Sequence, residues 1–432
     1  MQTCRRFRLL ICAGLLTSAL LSGCGGSSTT EETIPSTATI LYSHSVILGN
    51  DSSVMTMGYN GFGQLGDGTL ANRAVAGIVP GLSSMKKAVA GAEHTLAFGN
   101  MSSSVSAWGY NLYGQLGNAS VPTTNAAYSA TPVEVHLGAR VSDIAGGGFH
   151  SLAVAGGAIK SWGYNGYGQL GNGVFSNSNV PVTVDADADA AALGAAEKVA
   201  AGGVHSLALL EDGSVYAWGN NVSGQLGFNP YSTASSPRPK KVSLPTTVGK
   251  VQGIAAGGRF SLALEVAEDG AGNVTDQILW GWGYNATGEL GPMDPVKGPI
   301  QYMPAQVFSV DKTVSDPLVI KKFSAGLNHI LLLLGPASTK NTNDGSWIVQ
   351  ALGYNAFGQL GDNTTVNSFT LVRTLGLGTA GVSDIVAFGN HSLALSGGVW
   401  YGWGNNGLGQ LGNPIATSSV GYLQMPTPVQ GP

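Results

Sequence analysis

The chain has 432 residues, and its formal net charge at neutral pH is −4. Charged residues make up only 10% of it, whereas its 65 glycines are about twice the usual share. This length exceeds what one compact core usually organises, so we expect several domains or a repeat array. The low charge excludes a disordered chain, and the lack of a Gly-X-Y period excludes collagen. The sequence shows no basic stripe, so nucleic acid is excluded as the main partner.

The N-terminal segment, residues 1–23, has the three parts of an export signal. Arg5, Arg6 and Arg8 precede an apolar run of about 13 residues, which is too short for a permanent membrane span. The run ends in Leu-Ser-Gly-Cys at Cys24, which resembles the bacterial lipobox. We therefore predict cleavage before Cys24 and lipidation of its thiol. A twin-arginine signal at Arg5 and Arg6 is an alternative, although the surrounding residues match it poorly.

The cysteines and the next segment agree with lipidation. Cleavage would discard Cys4 and Cys12, so the mature chain would hold one cysteine and no internal disulfide. Residues 24–38 then form the lipidated cysteine and a polar tether that spans roughly 20 Å on average. Gly25 replaces the aspartate that commonly retains lipoproteins at the inner membrane. We expect a bacterial cell-envelope protein of the outer membrane, facing the periplasm or the cell surface.

Residues 39–432 consist of seven copies of one unit. The string Trp-Gly-x-Asn-x-x-Gly-Gln-Leu-Gly recurs, with substitutions, at periods of 51 to 70 residues. Its copies end at Gly66, Gly117, Gly171, Gly227, Gly291, Gly361 and Gly412. A second string of the type His-Ser-Leu-Ala precedes each copy. It begins at His44, His94, His150, His205, Phe260, His329 and His391.

Each period contains four strand-like pieces. In one unit they are residues 131–135, 142–147, 150–156 and 158–163. Four short strands in each of seven periods predict an all-β, seven-bladed β-propeller. The ends of the chain predict how the ring closes. Residues 426–430 resemble the first strand of a unit but lack the strands that should follow, and residues 37–48 supply those strands. We expect the two ends to pair in one mixed blade, which leaves no sheet edge open to aggregation.

These strings resemble the repeats of the RCC1 family, the regulator of chromosome condensation. The resemblance covers residues 39–432 and implies a seven-bladed propeller. It implies less about function, because one fold hosts many activities.

The repeated polar residues predict structure rather than chemistry. Six of the seven histidines share one repeat position, and radial symmetry would spread them round a ring instead of gathering them at one metal ion. Phe260 occupies that position in the fifth unit, which packing tolerates and a ligand site would not. We predict that each His-Ser pair forms hydrogen bonds within its own blade. The repeated tryptophans should fill the core, and the repeated glutamines should be hydrogen-bonded turn residues.

Two charged segments lack the pattern of a binding site. Asp185, Asp187 and Asp189 open like a calcium loop, but the glycine and the glutamate that this loop requires are missing. We predict a solvated acidic loop there and a solvated basic loop at residues 237–241. No catalytic residue, metal site or cofactor is predicted.

Two sets of residues are candidates for partner binding. Two positions before the repeated glutamine, four units carry an aromatic side chain: Phe62, Tyr113, Tyr167 and Phe357. These side chains either reach one propeller face or fill space between blades. The second set lies in two long hairpins, residues 265–277 and 335–346, in adjacent units. Its members are Glu268, Asp269, Asn273 and Asp276 in the first hairpin and Lys340, Asn343 and Asp344 in the second.

The function predicted from the sequence is a non-catalytic scaffold in the cell envelope. It is a monomer anchored by lipid, and its partner is a protein or a glycan. Guanine-nucleotide exchange, the activity of the family's namesake, is an alternative, but that activity belongs inside cells. A propeller enzyme acting on envelope polysaccharide is a third possibility, although the predicted inner strands carry few acids.

Overall fold

A computed structural model describes residues 44–431, except 125–126, 186–192, 246, 295–297, 340–344, 379–380 and 415–420. The described residues form 27 strands in seven antiparallel sheets, and these sheets are the seven blades of a β-propeller. Cys24 and the tether lie outside the described residues. Within the described part of the chain, no helix has the length and apolar character needed to cross a bilayer.

The strands follow one another blade by blade. Blade 1 has β1 (His44–Leu48), β2 (Val54–Gly58) and β3 (Arg73–Ile78). Blade 2 has β4 (Met85–Ala90), β5 (His94–Gly99), β6 (Ser104–Tyr110) and β7 (Tyr128–His136). Blade 3 has β8 (Val141–Gly146), β9 (His150–Ala155), β10 (Ala158–Gly163) and β11 (Ser178–Thr183). Blade 4 has β12 (Ala196–Ala201), β13 (His205–Leu210), β14 (Val215–Asn220) and β15 (Ser235–Lys241).

The remaining blades repeat this order. Blade 5 has β16 (Lys250–Ala256), β17 (Phe260–Glu268), β18 (Val274–Tyr284) and β19 (Ile300–Ser309). Blade 6 has β20 (Leu318–Ala325), β21 (His329–Pro336), β22 (Ile348–Gly353) and β23 (Ser368–Arg373). Blade 7 has β24 (Val382–Phe388), β25 (His391–Ser396), β26 (Val399–Asn405) and β27 (Tyr422–Pro428).

The outer strand of each sequence unit belongs to the preceding blade. The strand β7, predicted to open the unit of β8, β9 and β10, instead pairs with β6 at the edge of blade 2. Consecutive strands joined by a turn pair most readily, so the chain finishes one blade before it starts the next. The segment 237–241, predicted to be a loop, lies in the outer strand β15. Its two prolines are tolerated because the strand is at a sheet edge.

The ring closes between blades 1 and 7. The prediction of a mixed blade is wrong, because β27 pairs with β26 of its own blade. The ends still meet, since the backbone N–H of Ala76 in β3 donates to the carbonyl oxygen of Gln430 at 2.8 Å. Ile47 and Met57 of blade 1 also share a buried cluster with Leu393 of blade 7. The C-terminal segment therefore contacts the outer strand of blade 1 through a backbone hydrogen bond and does not become a strand of that blade.

The core lies between the faces of neighbouring blades. One apolar cluster, for example, joins Leu96 and Phe98 of blade 2 to Ile144 and Trp162 of blade 3. Seven such clusters cover the seven junctions between blades. The inner strands surround a central cavity of 690 Å³.

The propeller has two faces of different construction. We call one the loop face. It holds the turns that enter each second strand and those that leave each third strand, such as 91–93 and 111–124 in blade 2. We call the other the hairpin face; it holds the hairpins between second and third strands, such as 100–103. The repeated Gly-Gln-Leu-Gly turns lie on the loop face, and both long hairpins lie on the hairpin face.

Candidate functional site

A hydrogen-bonded clamp joins neighbouring blades at six of the seven junctions. Between blades 2 and 3, His94 Nε2 lies 2.9 Å from Ser151 Oγ, which donates to the carbonyl oxygen of Gln115 at 2.8 Å. Trp162 Nε1 donates to the same oxygen at 2.9 Å. Because the serine hydroxyl proton goes to Gln115, His94 must donate from Nε2. The clamp therefore fixes both the partner and the tautomer of the histidine.

The same clamp recurs around the ring. The histidine and hydroxyl partners are His44 with Thr95, His150 with Ser206, His205 with Ser261, His329 with Ser392 and His391 with Ser45. The predicted bonds within one blade are thus wrong, because each bond crosses to the next blade. The facing sheets of a propeller bring these side chains together, although they are far apart in the chain.

The clamp histidines are structural groups. Burial, together with the neighbouring His44, lowers the pKa of His94 to about 3. The ring is therefore neutral at physiological pH. The repeated tryptophans are fully buried, which agrees with the predicted core role.

One junction lacks the polar clamp. Between blades 5 and 6, Phe260 replaces the histidine and Ile330 replaces the hydroxyl residue that would face it. Leu352 replaces the tryptophan in the same junction, and all three side chains lie in one buried apolar cluster. The polar residues of the clamp are thus replaced together by apolar ones, as expected for side chains that contact one another across the junction. We call this junction the apolar seam.

The repeated glutamines hold the loop-face turns rigid. Gln115 Oε1 accepts the backbone N–H of Tyr113 at 3.0 Å, as predicted for a turn residue. Asn111 Oδ1 accepts the backbone N–H of Leu116 at 2.9 Å. These bonds fix the turn that carries Tyr113 on the loop face.

An aromatic stripe crosses the loop face over blades 1 to 3. Its members are Tyr59, Phe62, Tyr110, Tyr113, Phe149, Tyr164 and Tyr167. Along the row, ring centroids are 6.2 Å apart for Tyr59 and Phe62, 4.5 Å for Phe62 and Tyr110, 6.4 Å for Tyr110 and Tyr113, 5.0 Å for Tyr113 and Tyr164, and 6.4 Å for Tyr164 and Tyr167. Phe149 packs 5.4 Å from Tyr113. The rings form one continuous row.

The sequence left open whether the four predicted aromatic side chains reach the surface or fill space between blades. Tyr167 is 37% exposed, and Phe62 and Tyr113 are half-buried. The side chains thus both reach the surface and pack against one another. Three of the four predicted aromatics lie in the stripe, whereas Phe357 pairs with Tyr354 in blade 6, at 6.2 Å between centroids.

The sequence analysis missed four members of the stripe. Tyr59, Tyr110 and Tyr164 occupy the third position of the string Trp-Gly-Tyr-Asn, where tyrosine recurs in most units, and Phe149 lies in the turn that enters β9. Asn220 fills this position in blade 4 and Asn405 in blade 7. Asn220 is buried, so these substitutions do not by themselves indicate that the tyrosines are partly exposed.

Glu93 lies next to the stripe, in the turn that enters β5. Its backbone carbonyl accepts the N–H of Tyr110 at 2.9 Å. Burial raises the pKa of its carboxyl from the usual value to about 7. The folded protein therefore holds this proton more tightly than the unfolded chain, and its stability falls as the pH rises from the unfolded to the folded pKa.

We expect Glu93→Gln to remove this loss of stability. At pH 8 the variant should be more stable than the parent protein by up to about 3 kcal/mol, whereas at pH 4 the two should differ little. Urea denaturation at both pH values measures the difference. An equal effect at pH 4 and pH 8 would show that the gain does not come from the carboxyl charge.

The hairpin-face candidates are placed differently. Glu268 and Asp269 are exposed, and Asn273 is half-buried. Most of the predicted loop is strand, since β17 and β18 extend into it. Asp269 accepts the backbone N–H groups of Ala271 and Asn273, so its carboxylate holds the turn. Asp276 is buried and forms an ion pair with Lys312, so it does not offer a contact to a partner.

The second long hairpin lies only partly within the described residues. Lys340, Asn343 and Asp344 are outside them, as are Asp187 and Asp189 of the acidic segment. The two hairpins do occupy the same connection in blades 5 and 6. A partner site on this face stays a prediction.

The central cavity is built mainly from small apolar residues of the inner strands. Two lysines in its wall form ion pairs between blades, since Lys87 Nζ lies 2.6 Å from an Asp143 carboxylate oxygen and Lys322 pairs with Asp384. In the part of the chain that the structure describes, no three histidine, cysteine or acidic side chains are grouped to bind a metal ion.

Comparison with known proteins places this fold in a family. A model of the RCC1-like domain matches residues 27–307. The ultraviolet-B receptor UVR8 of Arabidopsis thaliana is 28% identical over 375 residues, which are 86% of this chain and 77% of the receptor. Yeast RCC1, solved bound to Kap60, has a TM-score of 0.70 at 20% identity, covering 96% of this chain and 91% of that one. Human WBSCR16 has a TM-score of 0.65 at 23% identity, covering 82% and 84%. The chain therefore belongs to the family of proteins with an RCC1-like domain.

Proposed function

We propose that this protein is a non-catalytic binding scaffold of the bacterial cell envelope and that the aromatic stripe is its docking surface. The observation that carries this proposal is the continuous row of partly exposed rings over blades 1 to 3. Surface aromatic side chains in contiguous groups are typical of binding sites, because they supply large contact areas. The partner is a protein or a glycan of the envelope.

The stripe is prepared for binding before a partner arrives. Its rings pack edge to face, except for the tilted pair Phe62 and Tyr110. The turns that carry them are held by buried glutamine and asparagine side chains. A rigid surface loses little conformational entropy on association, so more of the contact energy appears as affinity. A propeller also holds this row fixed on seven interlocked sheets.

The location in the envelope rests on the N-terminal sequence. We expect Cys24→Ser to release the protein from the membrane fraction into the soluble fraction, because the thiol that would carry the lipid is gone. Fractionation of cells and detergent phase partitioning of the two proteins measure this. A variant that stays with the membrane would contradict lipid anchoring at Cys24.

The docking role is tested by affinity capture from envelope extracts. The variant Tyr113→Ser with Tyr167→Ser shortens two stripe side chains to the residue that blade 4 carries naturally as Ser223. We expect this variant to lose at least one component that the parent protein captures. The matched control is Phe357→Ser, which makes the same type of change outside the stripe. Identical captured material from all three proteins would remove the stripe from the proposal.

A further inference from the structure

The chemistry of the stripe restricts the type of partner. None of its seven side chains carries a charge at neutral pH, and burial raises the pKa of Tyr110 to about 12. Arg259, an exposed cation, lies in blade 5, over the ring of Tyr284 at 4.1 Å. An anionic ligand on the stripe would lose hydration and would lie next to the carboxyl of Glu93. An uncharged ligand avoids this cost.

The shape of the stripe also restricts the type of partner. Successive centroids are 4.5 to 6.4 Å apart, and the row runs across three blades without a break. This spacing is comparable with the size of one pyranose ring. Protein hot spots, in contrast, cluster at the centre of an interface in well-packed pockets. A long, narrow row suits a ligand that is itself a chain of similar rings.

Two glycines let tyrosine rings lie across the turns of the loop face. A Cβ on Gly61 would meet the hydroxyl oxygen of Tyr59 at 2.2 Å, and a Cβ on Gly166 would meet that of Tyr164 at 2.2 Å. Both rings therefore fold back over their own turn instead of standing away from it. Sugar rings with apolar C–H faces pack on aromatic rings placed in this way.

We propose that the aromatic stripe binds an uncharged polysaccharide laid across blades 1 to 3. This inference rests on the proposed binding function and names the class of partner at the same site. The sugar C–H faces pack against the rings, and the phenol groups at the ring tips are suited to hydrogen bonds with sugar hydroxyls. No step of chemistry follows binding.

Affinity electrophoresis of the full mature chain tests the proposal. The native gels contain a soluble β-glucan, an α-mannan or dextran, and polygalacturonate serves as the anionic comparison. We expect at least one neutral polymer to retard the protein, and the anionic polymer not to. The variant Tyr113→Ser with Tyr167→Ser should bind that neutral polymer at least tenfold more weakly. The control Phe357→Ser should bind it as the parent protein does.

A second variant separates loss of binding from damage to the fold. Gly166→Ala keeps every aromatic residue but forces the ring of Tyr164 away from its turn. Alanine is tolerated at this repeat position, since blade 5 carries Ala286 and blade 6 carries Ala356. We expect a threefold or greater loss of affinity with an unchanged unfolding midpoint.

Each outcome decides between the two proposals. Retardation that the stripe variants abolish supports polysaccharide binding. No retardation by any neutral polymer, or equal retardation of all variants, overturns it. Stripe-dependent capture of an envelope protein, without binding to any polymer, would keep the scaffold and discard the polysaccharide. Capture and retardation that both ignore the stripe would discard both proposals.

Discussion

Replacing Ser151 with isoleucine is expected to lower the free energy of unfolding by about 4 kcal/mol. The change removes the hydroxyl that receives the Nε2 proton of His94 and that donates to Gln115. His94 is fully buried, so its orphaned N–H finds no water in exchange. The larger side chain also enters a packed junction. Ser151→Ala, which adds no volume, should cost about 1–3 kcal/mol.

The companion change His94→Phe is expected to restore much of this loss. The double variant reproduces the apolar seam, where Phe260 of blade 5 and Ile330 of blade 6 occupy the same two positions. An apolar pair leaves no buried donor unpaired, so the two changes should be coupled by about 1–3 kcal/mol. Urea denaturation of the four proteins in this cycle measures the coupling energy. Purely additive losses would contradict a direct contact between these positions.

The sequence predicted the number of blades and the core because both depend on spacing. Two repeated strings mark every period, and the buried tryptophan and the turn glutamine follow from their regularity. The partners in the clamp could not be predicted, since His94 and Ser151 are 57 residues apart and no string states which sheet faces which. β7 and β27 were assigned to the wrong blades for a similar reason. A repeated sequence does not show which strand begins a blade.

The candidate site was predicted only in part for a related reason. Phe62, Tyr113 and Tyr167 were found because they vary between units, whereas Tyr59, Tyr110 and Tyr164 were overlooked because they seldom do. Whether a side chain in a turn reaches solvent depends on how the turn is held. Here the hydrogen bond from the Tyr113 N–H to Gln115 holds the turn, and the residue pattern does not show in which direction the turn then presents the tyrosine side chain.

The glycine after each repeated tryptophan carries the second large expected effect. Gly163 has φ of +105°, and a Cβ there would lie 2.5 Å from the carbonyl oxygen of Phe149. Glycine fills this position in every blade, even where the tryptophan before it is replaced. We expect Gly163→Ala to cost about 4 kcal/mol, from backbone strain and from a contact with main-chain atoms that cannot turn aside.

Gly138→Ala is the matched control, because it isolates the backbone conformation from the contact. Gly138 also has a positive φ, +76°, but nothing lies within 4 Å of its added Cβ. The cost there should be only about 1–2 kcal/mol. Urea midpoints followed by tryptophan fluorescence compare the two variants. Equal losses would mean that φ alone demands glycine at both positions. A much larger loss for Gly163→Ala means that glycine is needed because the third strand passes close to the turn that enters the second strand of the same blade.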